Sequence, residues 1–171
     1  MRKPLIAGNW KMFKGLDEVG TFADEFIASV SDVTDVDILI CPPYVYIHAL
    51  AQACEGTEVM VGAQNVFWED KGAYTGEISP GMLKSIGAEY VILGHSERRQ
   101  YFGETDETVN KRLFASLNTD LVPIVCVGET LDERESGKTF DVVGTQIRQG
   151  LAGLSPDMAK TLVIAYEPVW A

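Results

Sequence analysis

Cysteine is scarce in this chain. Cys41, Cys54 and Cys126 are odd in number and far apart, and no pair has metal-ligand or redox-motif spacing. That argues against a disulfide scaffold and for reduced thiols in a cytoplasmic protein. Histidine is scarcer still: with only His48 and His95, a His-rich metal site is excluded. Positive charge is also short. Lysine and arginine number 14 against 25 aspartates and glutamates, a net charge of −11, so the basic face that nucleic-acid binding needs is missing. The acidic balance leaves small anions open, because they respond to the field inside one cleft. No apolar run approaches the ~20 residues that cross a bilayer. The stretch after Met1-Arg2-Lys3-Pro4 is short and runs into Asn9-Trp10-Lys11, unlike a signal peptide.

What is present is ordinary globular composition: 171 residues, 46% apolar and 23% charged. A chain of this size buries roughly 70% of its unfolded surface, enough for one core. Short apolar runs at 5–8, 36–41, 59–63, 90–94, 122–127 and 162–166 alternate with helical patterns. Those patterns cover 17–30, 44–53, 106–117 and 139–154, with a short helix starting at Ser79-Pro80, a cap followed by a first-turn proline. Continuous apolar strands separated by helices predict βαβ units, a parallel sheet and burial of both faces. No linker divides the chain, so one domain over 1–171 is expected. A doubly wound sheet and a (β/α) barrel both fit. The first turn lacks GxGxxG and no GxxxxGK[ST] occurs, which weakens dinucleotide and P-loop readings.

Polar residues gather at the carboxyl ends of the strands, where α/β folds place their sites. Asn9 and Lys11 lie two apart after strand one and would point the same way if the strand continued. His95 and Glu97 share that spacing after strand four, and Glu167 ends strand six before Pro168. Taken singly, each has a plain structural reading. Lys11 is a solvated lysine, Asn9 a turn residue, His95 a helix cap, Glu97 a first-turn acid favoured by the helix dipole, and Glu167 a strand terminator. Their coincidence at one rim favours a site. A carboxylate base, an imidazole donor and a cation suit proton transfer beside a carbonyl. No serine–histidine–acid set stands out, although Ser96 adjoins His95 and leaves that arrangement open.

At these residues the chain resembles the triosephosphate isomerase family. The matching segments are Gly8-Asn9-Trp10-Lys11-Met12, Gln64-Asn65-Val66 with Gly72-Ala73-Tyr74-Thr75-Gly76-Glu77, Leu93-Gly94-His95-Ser96-Glu97-Arg98-Arg99, Cys126-Val127-Gly128-Glu129 and Ala165-Tyr166-Glu167-Pro168-Val169-Trp170. The resemblance implies an α/β fold, a (β/α)8 TIM barrel incomplete in this chain, with about six parallel strands and the last two βα units missing. It implies interconversion of dihydroxyacetone phosphate and glyceraldehyde 3-phosphate in glycolysis and gluconeogenesis, with no metal or cofactor. Glu167 would be the base, His95 the neutral electrophile, Asn9 and Lys11 substrate contacts, and Glu97 a supporting residue. In the family the loop at 66–78 projects into a second subunit, placing the residue that matches Thr75 near the partner's Asn9 and Lys11; a flexible surface loop is the alternative. Cys126 is expected to pack near the site without chemistry, and Asp132-Glu133-Arg134-Glu135 to be a solvated face.

Barrels of this kind take about 250 residues and grip phosphate after strands seven and eight. Three readings follow. The chain is one piece of an isomerase that needs its C-terminal part, supplied as a complementing fragment. Or it is an inactive self-assembling barrel fragment whose edges pair with its own copies. Or it is another phosphate-sugar barrel enzyme, against which GHSERR argues.

Overall fold

The computed structural model describes residues 2–170; Met1 of the basic start and Ala171 at the far end lie outside them. Six parallel strands form one sheet in the order β1-β2-β3-β4-β5-β6. They are β1 Leu5–Asn9, β2 Asp37–Cys41, β3 Val59–Ala63, β4 Tyr90–Leu93, β5 Val122–Val127 and β6 Val163–Tyr166. The helices are α1 Leu16–Val30, α2 Tyr44–Ala53, α3 Pro80–Ser85, α4 Ser96–Phe102, α5 Asp106–Leu117, α6 Leu131–Glu135 and α7 Thr139–Gly150. A doubly wound sheet reverses its strand order at a switch point. Here sequence order and spatial order agree throughout, which is the barrel's winding.

Side chains alternate across the sheet and build two apolar layers. Ile38, Ile40, Val61, Val91, Leu93 and Val125 face outward and pack with Val19, Ile47, Leu50, Leu83, Val109 and Leu113 of the helices. Leu39, Cys41, Ile92, Ile124 and Cys126 fill the inner layer. Helix starts are well determined. Ser79 Oγ accepts from the Met82 N–H, and Thr105 and Thr108 cap each other reciprocally at the start of α5. Gly103 closes α4 at φ 67, a left-handed conformation that glycine adopts freely.

Burial on both faces holds for β2 to β5 and fails for β1 and β6. Each outer strand has a neighbour on one side only, so Ile6 is 61% exposed and Ile164 41%. The 66–78 loop is not a loose excursion. The Phe67 N–H donates to the Ile78 carbonyl at 2.8 Å, and Phe67 packs on Trp68 and Tyr74.

Candidate active site

The carboxyl ends of β1, β4 and β6 bring the predicted residues together. Asn9, Lys11, His95 and Glu97 line an open cleft of about 220 Å³ with Gln64 and Arg98. Glu167 approaches the same histidine: its Oε1 lies 3.3 Å from His95 Nε2. A larger cavity, about 520 Å³, lies at the other end of the sheet among Asp37, His48, Glu55, Glu58 and Glu89. It gathers none of the candidate residues, and barrels place their chemistry at the carboxyl end.

The expectation that Asn9 and Lys11 share a face through a continuing strand is corrected. β1 stops at Asn9, and Lys11 takes a left-handed backbone, φ 52. Asn9 Oδ1 accepts the Lys11 N–H at 3.0 Å, while Gln64 Nε2 donates to the Lys11 carbonyl at 2.9 Å and to the Cys41 carbonyl at 2.9 Å. A non-glycine residue held at positive φ costs roughly 1–3 kcal/mol and persists only where its surroundings impose it. Here the first two of these hydrogen bonds hold the Lys11 main chain, and the third ties Gln64 to the end of β2. They aim the lysine at Glu97, whose Oε1 lies 2.9 Å from Nζ. That hydrogen bond is the main cause of a raised Lys11 pKa, opposed by partial desolvation and helped by the charges of Glu97 and Glu167.

His95 is not a strand residue either. It caps α4, and its Nδ1 accepts the Glu97 N–H at 3.3 Å. An imidazole that accepts at Nδ1 and is neutral carries its proton on Nε2. The nitrogen facing Glu167 is therefore the donor. Ser96 belongs to the carboxylate rather than to the histidine: its Oγ donates to Glu167 Oε1 at 2.9 Å, and its N–H approaches Oε2 at 3.4 Å. A nucleophilic serine needs its hydroxyl hydrogen-bonded to the base. Here the Ser96 hydroxyl donates to Glu167 instead, and His95 Nδ1 accepts a backbone N–H, so Ser96 and His95 do not form a serine–histidine–acid arrangement. Cys126 is buried in the inner layer, and desolvation pushes its thiol up to about 12, with the Glu167 charge adding to the effect. It packs, as expected.

Arg134 departs from the solvated-face expectation. Its Nη1 lies 3.1 Å from Glu129 Oε1, and its guanidinium stacks 4.7 Å above the Trp170 ring. Glu129 is fully buried, and it also accepts from Tyr166 at 3.0 Å and from Trp170 Nε1 at 3.3 Å. Burial works to raise its pKa. Its own N–H, Trp170, Arg134 and Tyr166 outweigh that and hold the carboxyl down to about 2. Glu129 and Gln64 obey the positional rule that singles out Asn9 and His95, since each follows the end of an apolar strand. The lowered pKa gives a test. Because the folded value lies below the ordinary 4.5, the anchorage is fully present above about pH 4.5 and is lost as pH falls through about 2. The Trp170 indole N–H resonance should therefore titrate near pH 2, and Glu129→Gln should abolish that transition. A midpoint near 4.5 would contradict the anchorage.

Winding and site together define a (β/α)-barrel chain with a carboxylate, an imidazole and a cation converging at its carboxyl-end rim. The family model described as triosephosphate isomerase matches residues 4–171. The triosephosphate isomerase of Caldanaerobacter subterraneus subsp. tengcongensis is 56% identical over all 171 residues, and that of Moorella thermoacetica 54%; each match covers 68% of the relative. The crystal structure of the triosephosphate isomerase of Bartonella henselae superimposes with a TM-score of 0.91 at 39% identity, over 99% of this chain and 70% of that one. The chain belongs to the triosephosphate isomerase family and spans about two thirds of those relatives' length.

Proposed function

We propose that this chain supplies the proton-transfer half of an aldose–ketose isomerase acting on a phosphorylated triose, completed by a further C-terminal segment. The observation that carries the reading is the Glu167 carboxylate 3.3 Å from His95 Nε2, at the mouth of a cleft that also holds Lys11. Glu167 leaves Ser96 and takes a proton from the hydroxymethyl carbon of dihydroxyacetone phosphate. The C–H electrons form the enediolate double bond, and the carbonyl oxygen gains negative charge. His95 Nε2–H donates to that oxygen as the charge develops. His95 then exchanges protons between the two oxygens, and Glu167 returns its proton to the neighbouring carbon to give glyceraldehyde 3-phosphate. Lys11 and Asn9 meet the substrate's negative charge, and Glu97 holds both Lys11 and the His95 cap. In this reading the protein serves glycolysis and gluconeogenesis in the cytoplasm. Among the described residues no helix is long and apolar enough to cross a membrane.

The active form is a homodimer in this reading, with Thr75 at the tip of the 66–78 loop reaching the second copy's cleft. Exposed Met12 (93%) and Phe13 (71%) beside the cleft support an apolar contact there.

Barrels hold phosphate after strands seven and eight, and binding energy remote from the reacting carbons supports the chemical step. The 171 residues alone should therefore turn over little substrate. Adding the last third of the Caldanaerobacter relative as a separate polypeptide should restore turnover. Equal rates with and without that segment would defeat the proposal. The exposed edges at Ile6 and Ile164 favour a second reading, an inactive self-assembling fragment. Solution mass on the same sample decides: higher oligomers that stay inactive with the segment present would support it.

A further inference from the structure

Gln146 lies on α7, outside the cleft, yet its side-chain amide pairs twice with one residue beside the site. Its Oε1 accepts the Gly128 N–H at 2.8 Å, and its Nε2 donates to the Gly128 carbonyl at 3.1 Å. This is the pairing that a neighbouring strand would give. The sheet shows why a side chain supplies it. β4 pairs with β5 as far as Leu93 opposite Val125, then turns away at Gly94, φ 67, to start α4. On its other side β5 stays paired beyond its end: the Glu167 N–H donates to the Val127 carbonyl at 2.8 Å and the Val169 N–H to the Glu129 carbonyl at 3.1 Å. Backbone groups left by β4 need partners, and Gln146 provides them.

Gly128 also lies against the Glu167 main chain. A Cβ at position 128 would stand 1.7 Å from the Glu167 carbonyl oxygen. A shift of Gly128 thus reaches Glu167 by direct contact and through the Val127 hydrogen bond. We infer that Gln146 is a positioning residue for Glu167: it stands in for the departed strand, fixes Gly128 and so sets the distance between the carboxylate and His95. The inference rests on reading Glu167 as the base and extends the machinery to a helix behind the sheet.

The test uses the barrel completed with the C-terminal segment, with amide hydrogen exchange and kinetics on the same preparation. Gln146→Leu keeps the side chain's bulk and removes both hydrogen bonds. The Glu167 and Val169 amides should exchange about tenfold faster while those of Ile40 and Val61 keep their rates. The kcat should fall about tenfold with KM within about twofold, since small misplacements of a reacting group are costly while binding is left alone. Gln146→Glu retains the acceptor and loses the donor, so it should fall between, and it carries the comparison if the leucine variant does not fold. Unchanged exchange at Glu167 in a folded variant overturns the inference. So does uniform acceleration across all strands, which marks a merely structural loss. If the unsubstituted completed barrel has no isomerase activity, the base assignment fails while the exchange result still decides whether Gln146 holds Glu167.

Discussion

Replacing Glu167 by glutamine in the completed barrel should lower kcat by about 10²–10⁴-fold, the contribution expected of a positioned general base. Glutamine can still accept from Ser96 Oγ, which holds the carboxylate at 2.9 Å, so the side chain keeps its anchor and loses only its basicity. KM should change little, because a carboxylate does not hold a phosphate of like charge. Glu167→Asp tests the same idea by distance. It retracts the carboxylate by one methylene, and reacting atoms must come within about 3–3.5 Å. Both variants should unfold at the parent's temperature, since Glu167 is partly exposed and its partners are a serine and a histidine at the rim. Turnover unchanged in the glutamine variant would remove Glu167 from the mechanism.

Glu104→Leu should cost about 3–5 kcal/mol of stability, the penalty for breaking a buried ion pair by removing one partner. Glu104 is 6% exposed and sits between Arg98 and Arg112. Arg112 is equally buried; desolvation lowers its pKa, and the Glu104 charge opposes that. Without the carboxylate, the guanidinium keeps the desolvation and loses the compensation. The compensation is already incomplete, because Arg112 Nη1 and Glu104 Oε2 have no hydrogen-bond partner among the described residues. The consequence reaches the 66–78 loop. Arg112 Nε donates to the Val66 carbonyl at 2.8 Å, and its guanidinium stacks 4.9 Å from Trp68. Urea unfolding of the chain measures the effect, and a loss below 1 kcal/mol would show that the cluster carries no such weight. Glu104→Gln, which keeps an acceptor for Arg98, should cost less.

Much of this was legible in the chain because it depends on local chemistry. Periodicity places α2 and α5 at their observed bounds, since apolar spacing and caps act within a few residues. The rim rule brings Asn9, His95 and Glu167 to one end of the sheet, because a parallel sheet sends every strand's carboxyl end the same way. The quality of the edges was less visible. β1 and β6 have the composition of buried strands; the resemblance already makes the first and last strands edges, and the strand order bears that out.

The residues by themselves determined the alternation of strands and helices, the parallel sheet and the membership of the rim. Those follow from side-chain period, turn chemistry and chain direction. Only the tertiary structure decided how the rim groups are held. Lys11, in a left-handed conformation, has its carbonyl held by Gln64 from the end of β3, Ser96 is given to Glu167 rather than to His95, and Glu129 becomes a buried anchor rather than a loop acid. Each of those contacts joins residues far apart in the chain, and a hydrogen bond between distant segments is set by where packing leaves the backbone, which no local pattern encodes.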